Sequence, residues 1–249
     1  SDLEMMRQLA AERRQVLRWL LAGAATLPLV SCGGGADTGA TASGSGAAAG
    51  SGSTGTVTTP TTGACTVIPE ETGGPYPADG TNTNGGSIVN VLNQSGVVRS
   101  DIRASFNGAS GVAAGVPLTI KLQLLNANGS CSSLAGYAIY LWHCDREGLY
   151  SLYSSGVTGQ NYLRGVQETD ASGKLAFTTI FPGCYAGRMP HVHFEVYPSL
   201  AKAASAANRI KTSQFTFPMA TLNEVYTASG YTASVRNLAQ ISYATDNVF

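Results

Sequence analysis

His191-Val192-His193 is the tripeptide that most directly points to chemistry. On an extended strand, residues i and i+2 project from the same face, so both imidazoles can reach one ion. Neutral imidazole is also the commonest protein ligand for metals. Val192, Phe194 and Val196 then face the opposite way, into a core. The chain has three histidines in all. The third, His143, alternates off the Trp142 face and is read as a hydrogen-bonded structural residue. Five cysteines are present, but none is spaced Cys-x-x-Cys, which argues against a thiolate site.

A strand that carries two ligands must be held in a rigid sheet, and the sequence supplies one. Leu118, Ile120, Leu122 and Leu124 alternate with Thr119, Lys121 and Gln123, the period of a half-buried strand. Asn126 to Gly129 marks a turn. Tyr137 to Cys144 is apolar on both faces, as in a central strand. Leu163–Thr169 and Lys174–Ile180 flank Asp170-Ala171-Ser172-Gly173 and predict a hairpin. His191–Tyr197 and Ile210–Phe217 are further strands, and Leu222–Ala228 is the single helical stretch. Short strands with regular turn signals predict an antiparallel β-sandwich with few short helices.

The surroundings of the histidine pair sharpen its meaning. Phe181-Pro182-Gly183-Cys184-Tyr185-Ala186-Gly187-Arg188-Met189-Pro190 runs directly into His191. Farther back stands Trp142-His143-Cys144-Asp145-Arg146-Glu147-Gly148-Leu149-Tyr150. A tryptophan strand ending in Gly-x-Tyr, then Pro-Gly-x-Tyr, an arginine and His-x-His, in that order, resembles the intradiol aromatic-ring-cleavage dioxygenases of the protocatechuate and catechol dioxygenase type. Thr72-Gly73-Gly74-Pro75-Tyr76 resembles that family's Thr-x-Gly-Pro-Tyr segment, and Thr212-Ser213-Gln214 its Thr-x-Gln strand. The resemblance covers residues 65–249.

It implies a non-haem Fe(III) enzyme that cleaves catechol-type rings between the two hydroxyls with O2, giving muconate-type diacids. It implies Tyr150, Tyr185, His191 and His193 as iron ligands. Phenolates are hard anionic donors suited to a trivalent ion, and a cation at bonding distance keeps them deprotonated despite an ordinary value near 10. Tyr185 is implied as the phenolate that gives way to substrate and takes its proton. Arg188 is implied as the group that stabilises charge on the reacting ring. Gly74, Pro75, Tyr76 and Gln214 are implied as substrate-binding. Glu195 shares the histidine face without an assigned role. Two other classes stay open: a non-catalytic module holding metal or an aromatic ligand, and a zinc or copper hydrolytic site built on His143, His191 and His193. The helical segment through which catechol-type members dimerise is not found in the head, so their oligomeric state does not transfer.

The first quarter of the chain reads differently. Arg13-Arg14 precedes an apolar stretch from Trp19 to Val30, and Leu29-Val30-Ser31-Cys32 resembles a bacterial lipobox. Residues 1–32 are thus expected to be a twin-arginine export signal. Cys32 is then the lipidated residue anchoring the protein to a membrane that faces the periplasm or exterior. Residues 33–64 are almost wholly Gly, Ala, Ser and Thr and form a flexible linker, with a span of roughly 28–34 Å for a Gly-rich coil. No run approaches the ~20 apolar residues of a membrane span. Fifteen basic and fifteen acidic residues balance, leaving no positive excess to displace counterions from nucleic acid. Export permits disulfides. Cys144 with Cys184 and Cys65 with Cys131 is one pairing of the four remaining cysteines, and the sequence does not choose among the three possible.

Overall fold

The structure, a computed structural model, describes residues 65–249. The export signal, Cys32 and the linker lie outside the described residues. Among the described residues, no helix is long and apolar enough to cross a membrane.

Ten strands follow in chain order: β1 (Asp79–Asn84), β2 (Ser87–Asn90), β3 (Pro117–Gln123), β4 (Leu125–Asn126), β5 (Ser132–Ser133), β6 (Ala138–Trp142), β7 (Arg164–Glu168), β8 (Lys174–Ile180), β9 (His191–Tyr197) and β10 (Lys211–Thr216). Two short helices close the chain, α1 (Met219–Val225) and α2 (Thr232–Leu238). The main sheet is antiparallel, in the order β10-β9-β6-β7, and the β3–β8 pair forms the facing layer. The structure is therefore the expected antiparallel sandwich.

Period-two patterning explains its layers. β3 buries Ile120 and half-buries Leu118 and Leu122, while its alternate residues stay exposed. These side chains meet Leu175 and Phe177 of β8. The same cluster takes Ile139 and Leu141 from β6, and Val192 and Val196 from β9. Every residue of β6 is buried, because its opposite face is covered too. There Ala138, Tyr140 and Trp142 join Val166, Tyr150 and Tyr197 under the segment that leads into β1. His193 is opposite Trp142 on one side and Gln214 on the other, and Glu195 is opposite Tyr140 and Thr212. One face of β9 thus builds the sandwich core, and the other carries a buried polar row.

Three expectations are corrected. Asp170–Gly173 does form a turn, with Gly173 N donating to Asp170 O at 2.9 Å, but no hairpin follows. β7 pairs with β6 and β8 with β3, because their apolar faces belong to different layers and the turn crosses between them. The helix begins at Met219 rather than Leu222, and a second, α2, follows it. α2 is missed because its inward positions include Ser234, fully buried but polar, which breaks the apolar stripe. Lastly, Cys144 and Cys184 are free buried thiols. Each is held separately: Cys144 Sγ donates to Gly183 O at 3.4 Å and Cys184 Sγ to Arg188 O at 3.4 Å. Cys65 and Cys131 are bonded, closing a separation of 66 residues.

Candidate metal centre

β9 delivers His191 and His193 side by side, with ring centroids 4.7 Å apart. Two loops bring the phenols. Asp145 shapes the first: its Oδ1 accepts from the amides of Glu147 (2.9 Å) and Leu149 (3.0 Å), and its Oδ2 from the Tyr162 hydroxyl (3.2 Å). The second loop, Pro182–Tyr185, lies directly on the first, with Gly183 N donating to Asp145 O at 2.9 Å. The glycines of both tyrosine motifs make this contact possible. A Cβ at Gly183 would sit 2.6 Å from Arg146 O, and one at Gly148 would sit 3.0 Å from Tyr185 Cβ. Gly148 also adopts φ +86°, where other residues are strained.

Three of the donors gather around the fourth, His191 Nε2. Tyr150 Oη lies 3.4 Å from His191 Nε2, Tyr185 Oη lies 3.3 Å from it, and His193 Nε2 lies 3.0 Å from it. Donors about 2.1 Å from a shared ion and about 90–110° apart at it stand about 3.0–3.4 Å from one another. All three separations fall in that window, so the residues fit a single metal ion. His191 Nδ1 donates to Met189 O at 2.6 Å, which leaves Nε2 bare and fixes the ring, the usual support of a ligating histidine. His193 stacks on Trp142 with rings 4.9 Å apart and nearly parallel. Among the described residues no group of three or more His, Cys, Asp or Glu side chains gathers elsewhere. The donor set here is two tyrosines and two histidines.

Burial sets the protonation of this cluster. It lowers His191 to about 3, with the Arg188 charge adding to the effect, and takes His193 well below the usual range. Both imidazoles are therefore neutral, the ligating form. Burial also raises Tyr150 and Tyr185 far above the ordinary phenol range, Arg188 pulling Tyr185 partly back. Two phenolates are stable here only beside a strong positive charge.

Arg188 is buried and immobilised. Its Nε pairs with Asp246 at 3.0 and 3.2 Å, and its Nη2 donates to Gln214 Oε1 at 2.9 Å. Gln214 in turn donates to Thr72 O at 2.8 Å, so it bridges the arginine to the Thr72–Tyr76 segment. In that segment Gly74 lies against His193, where a Cβ would be 3.4 Å from the ring. The Tyr76 ring packs on Tyr150, with centroids 4.9 Å apart. Pro75 sits between them and places the segment at the cluster's edge.

His143 is apart from the cluster. It is buried, with Nδ1 2.8 Å from Cys144 O and Nε2 2.7 Å from Thr179 Oγ1, which removes it as a third histidine ligand. Glu195 acquires a structural role. It accepts from Tyr197 (2.6 Å) and Arg209 (3.2 Å), and Arg209 also pairs with Asp79 of β1 at 3.1 Å. Burial raises its carboxyl to about 7. Asp145 and Asp246 are the functional neighbours that sequence reasoning missed: Asp145 stands inside the Trp142–Tyr150 stretch without being one of its motif positions, and Asp246 lies far from any motif. An apolar groove of about 620 Å³ lies on the other face of the sheet, along Phe194, Val196 and Phe215, away from the donors.

Comparison with known proteins agrees with this geometry. Residues 100–207, which contain all four converging side chains, match the family model Dioxygenase_C, described as Dioxygenase. No curated protein is significantly similar to the chain. Among solved structures, the chain is similar to an intradiol ring-cleavage dioxygenase from Tetranychus urticae. That match has 26% identity and a TM-score of 0.50, covering 67% of this chain and 72% of that one. It is similar also to the dioxygenase domain of a dioxygenase carbohydrate-binding protein fusion from Streptomyces sp. SirexAA-E, at 26% identity and TM-score 0.40, covering 61% and 75%. A third is catechol 1,2-dioxygenase from Pseudomonas arvilla C-1, at 26% identity and TM-score 0.37, covering 51% of this chain and 43% of that enzyme, under half its length. Residues 100–207 thus match a dioxygenase family model, and the described domain is similar in sequence and in fold to an intradiol ring-cleavage dioxygenase.

Proposed function

We propose that the chain is a ferric dioxygenase that opens catechol-type rings between their two hydroxyls, using O2, to give muconate-type diacids. The observation that carries this reading is the convergence of two phenol oxygens and the His193 Nε2 nitrogen within 3.0–3.4 Å of His191 Nε2. Tyr150, Tyr185, His191 and His193 would hold the ion. Bound there, Fe(III) supplies the Lewis acidity that keeps both phenols ionised and lets a catechol bind as its dianion.

The remaining work belongs to the chain's own residues. His191 and His193 stay neutral and orient by Met189 O and Trp142. Tyr150 is almost fully buried whereas Tyr185 is partly exposed, so Tyr185 is the phenol with room to swing aside. Its oxygen then accepts a proton from the incoming substrate, the role of a general base. Arg188, fixed by Asp246 and Gln214, places a permanent positive charge beside the cluster, where negative charge builds on the ring. Gly74, Pro75 and Tyr76 form the wall that the ring would meet.

The test is metal analysis, a visible spectrum and oxygen uptake on the purified chain with a panel of catechols. About one iron per chain, colour before substrate and oxygen consumption are expected. A colourless protein with stoichiometric zinc, unchanged after iron reconstitution, defeats the reading. Coloured protein without oxygen uptake points instead to a binding module. We further propose that residues 1–32 direct export and that Cys32 carries a lipid. Cys32→Ala should then move the active protein from the membrane to the soluble fraction, and unchanged membrane association refutes the anchor.

A further inference from the structure

Arg164, the first residue of β7, is a fully buried cation. Its Nε donates to Ser151 Oγ (3.1 Å) and its Nη2 to Ser151 O (3.0 Å). Its Nη1 donates to Tyr76 O (2.9 Å), Pro77 O (3.1 Å) and the Tyr140 hydroxyl (3.2 Å). None of these acceptors is a carboxylate, and Arg164 takes part in none of the ion pairs found among the described residues. Burying a charge without a counter-charge is expensive even when it is hydrogen-bonded. What the guanidinium provides, and no neutral side chain does, is a rigid planar fork of five N–H donors that can hold several chain segments at once.

The segments it holds are specific to the site. Ser151 immediately follows Tyr150. Tyr76 and Pro77 follow Gly74-Pro75, and the Tyr76 ring packs on Tyr150. On the sheet, Arg164 is paired with Trp142, whose indole stacks on His193. We propose that Arg164 is a positioning residue. Its guanidinium clamps the main chain at Ser151 and at Tyr76–Pro77, and so holds Tyr150 Oη at the donor cluster. What Tyr150 does there rests on the ferric reading above; the clamp itself does not. A lysine at this position keeps the charge but has no planar fork, so it cannot span both segments.

The test uses Arg164→Lys in the full chain. In the metal-free protein, hydrogen exchange is followed at Ala78, Tyr150 and Leu152, whose amides bond Tyr153 Oη (2.9 Å), Ser154 Oγ (2.9 Å) and Val157 O (3.1 Å). Exchange there should quicken about tenfold or more, the scale of losing one charged hydrogen bond, while β8 amides in the facing layer keep their rates. After iron loading, the variant should bind metal about tenfold more weakly and show a shifted visible band, which a merely structural arginine would not move. Unchanged exchange at the three amides in folded Arg164→Lys protein overturns the clamp. Accelerated exchange with an unchanged band and metal affinity overturns the positioning of Tyr150. If Arg164→Lys does not fold, Ser151→Ala decides. It removes the Arg164 contact to Oγ together with the Ser151 Oγ bond to Tyr162 O (2.7 Å), leaves the Tyr76 and Pro77 contacts, and should quicken Tyr150 and Leu152 but not Ala78; no change at either, or equal change at all three, overturns the proposal. Wild-type protein that takes no iron fails the ferric reading by itself, since the exchange measurement needs no metal.

Discussion

Arg188→Ala separates two roles that one residue combines. The arginine and Asp246 form an ion pair whose side chains are 3% and 0% exposed. Removing one partner of a buried pair usually costs about 3–5 kcal/mol, because the other charge is left uncompensated. Asp246 keeps the amides of Met189 (2.7 Å), Val248 (2.8 Å) and Phe249 (3.3 Å) after the change, so the lower end, about 3 kcal/mol, is expected here. For a domain of this size, that lowers the unfolding midpoint by roughly 6–12 °C. Asp246→Asn should cost at least as much. Both carboxylate oxygens act as acceptors, and an amide nitrogen cannot replace either one.

The two variants part company in catalysis. With iron saturated, Arg188→Ala should lose about 10²–10³ in kcat, the range for one preorganised electrostatic donor. Asp246→Asn keeps the charge near the ring and should lose far less. Thermal unfolding followed by circular dichroism, with oxygen uptake on the iron-loaded protein, measures both. An Arg188→Ala midpoint within about 2 °C of wild type, equivalent to about 1 kcal/mol or less, refutes the ion-pair argument. Normal turnover by fully loaded Arg188→Ala refutes the catalytic one.

Three further outcomes follow from the same contacts. Tyr150→Phe removes one anionic donor and should alter or abolish the charge-transfer band and weaken iron binding, read by spectral titration. Gly183→Ala puts a Cβ 2.6 Å from a carbonyl oxygen between the two phenol-bearing loops; it should cost about 1–3 kcal/mol, as overpacking does, and weaken metal binding with it, whereas unchanged metal affinity would disprove the loop contact. Burial lowers His143 to about 4, so at any pH between that value and about 6.5 it takes up a proton on unfolding; stability of the metal-free protein should fall as pH drops through that window, the His143 share levelling off below it while His191 and His193, held lower still, carry the fall on, and His143→Gln should reduce the total fall by roughly 3 kcal/mol.

How much of this was legible beforehand depends on whether a feature is periodic or relational. The alternation in Leu118–Leu124, the doubly apolar Tyr137–Cys144 run and the His-x-His face are local, and each element formed as read. The tyrosine motifs resembled a known family closely enough for all four converging donors to be named. What the sequence did not reveal was partner choice. Asp170–Gly173 has every feature of a hairpin turn, yet the choice between β6 and β3 as neighbours is made by distant apolar faces. Cys144 and Cys184 lie in adjoining motifs, yet each stays a free thiol that donates to a carbonyl. Asp145, Arg164 and Asp246 are not motif positions, and the contacts that matter most for Arg164 and Asp246 exist only once segments far apart in sequence have been brought together.

Those three charges share a physical logic. The strand face that carries His191 and His193 is fixed by sheet pairing and needs little else. Tyr150, Tyr185 and Arg188 come from loops, whose backbone groups would otherwise need water. In each loop a buried ionic side chain stands in for that water. Asp145 collects the amides of the Gly-x-Tyr turn, Arg164 collects the carbonyls of Tyr76, Pro77 and Ser151, and Asp246 collects the Met189 amide together with Arg188. A charged group makes stronger hydrogen bonds than a neutral one and is costly to leave unpaired, so each loop has one strongly favoured conformation. Such loops can hold two phenol oxygens at fixed distances from a strand-borne imidazole, which an apolar packing of the same segments would not specify. The polar interior of this half of the sandwich is thus the means by which flexible segments acquire the rigidity of the sheet they cover.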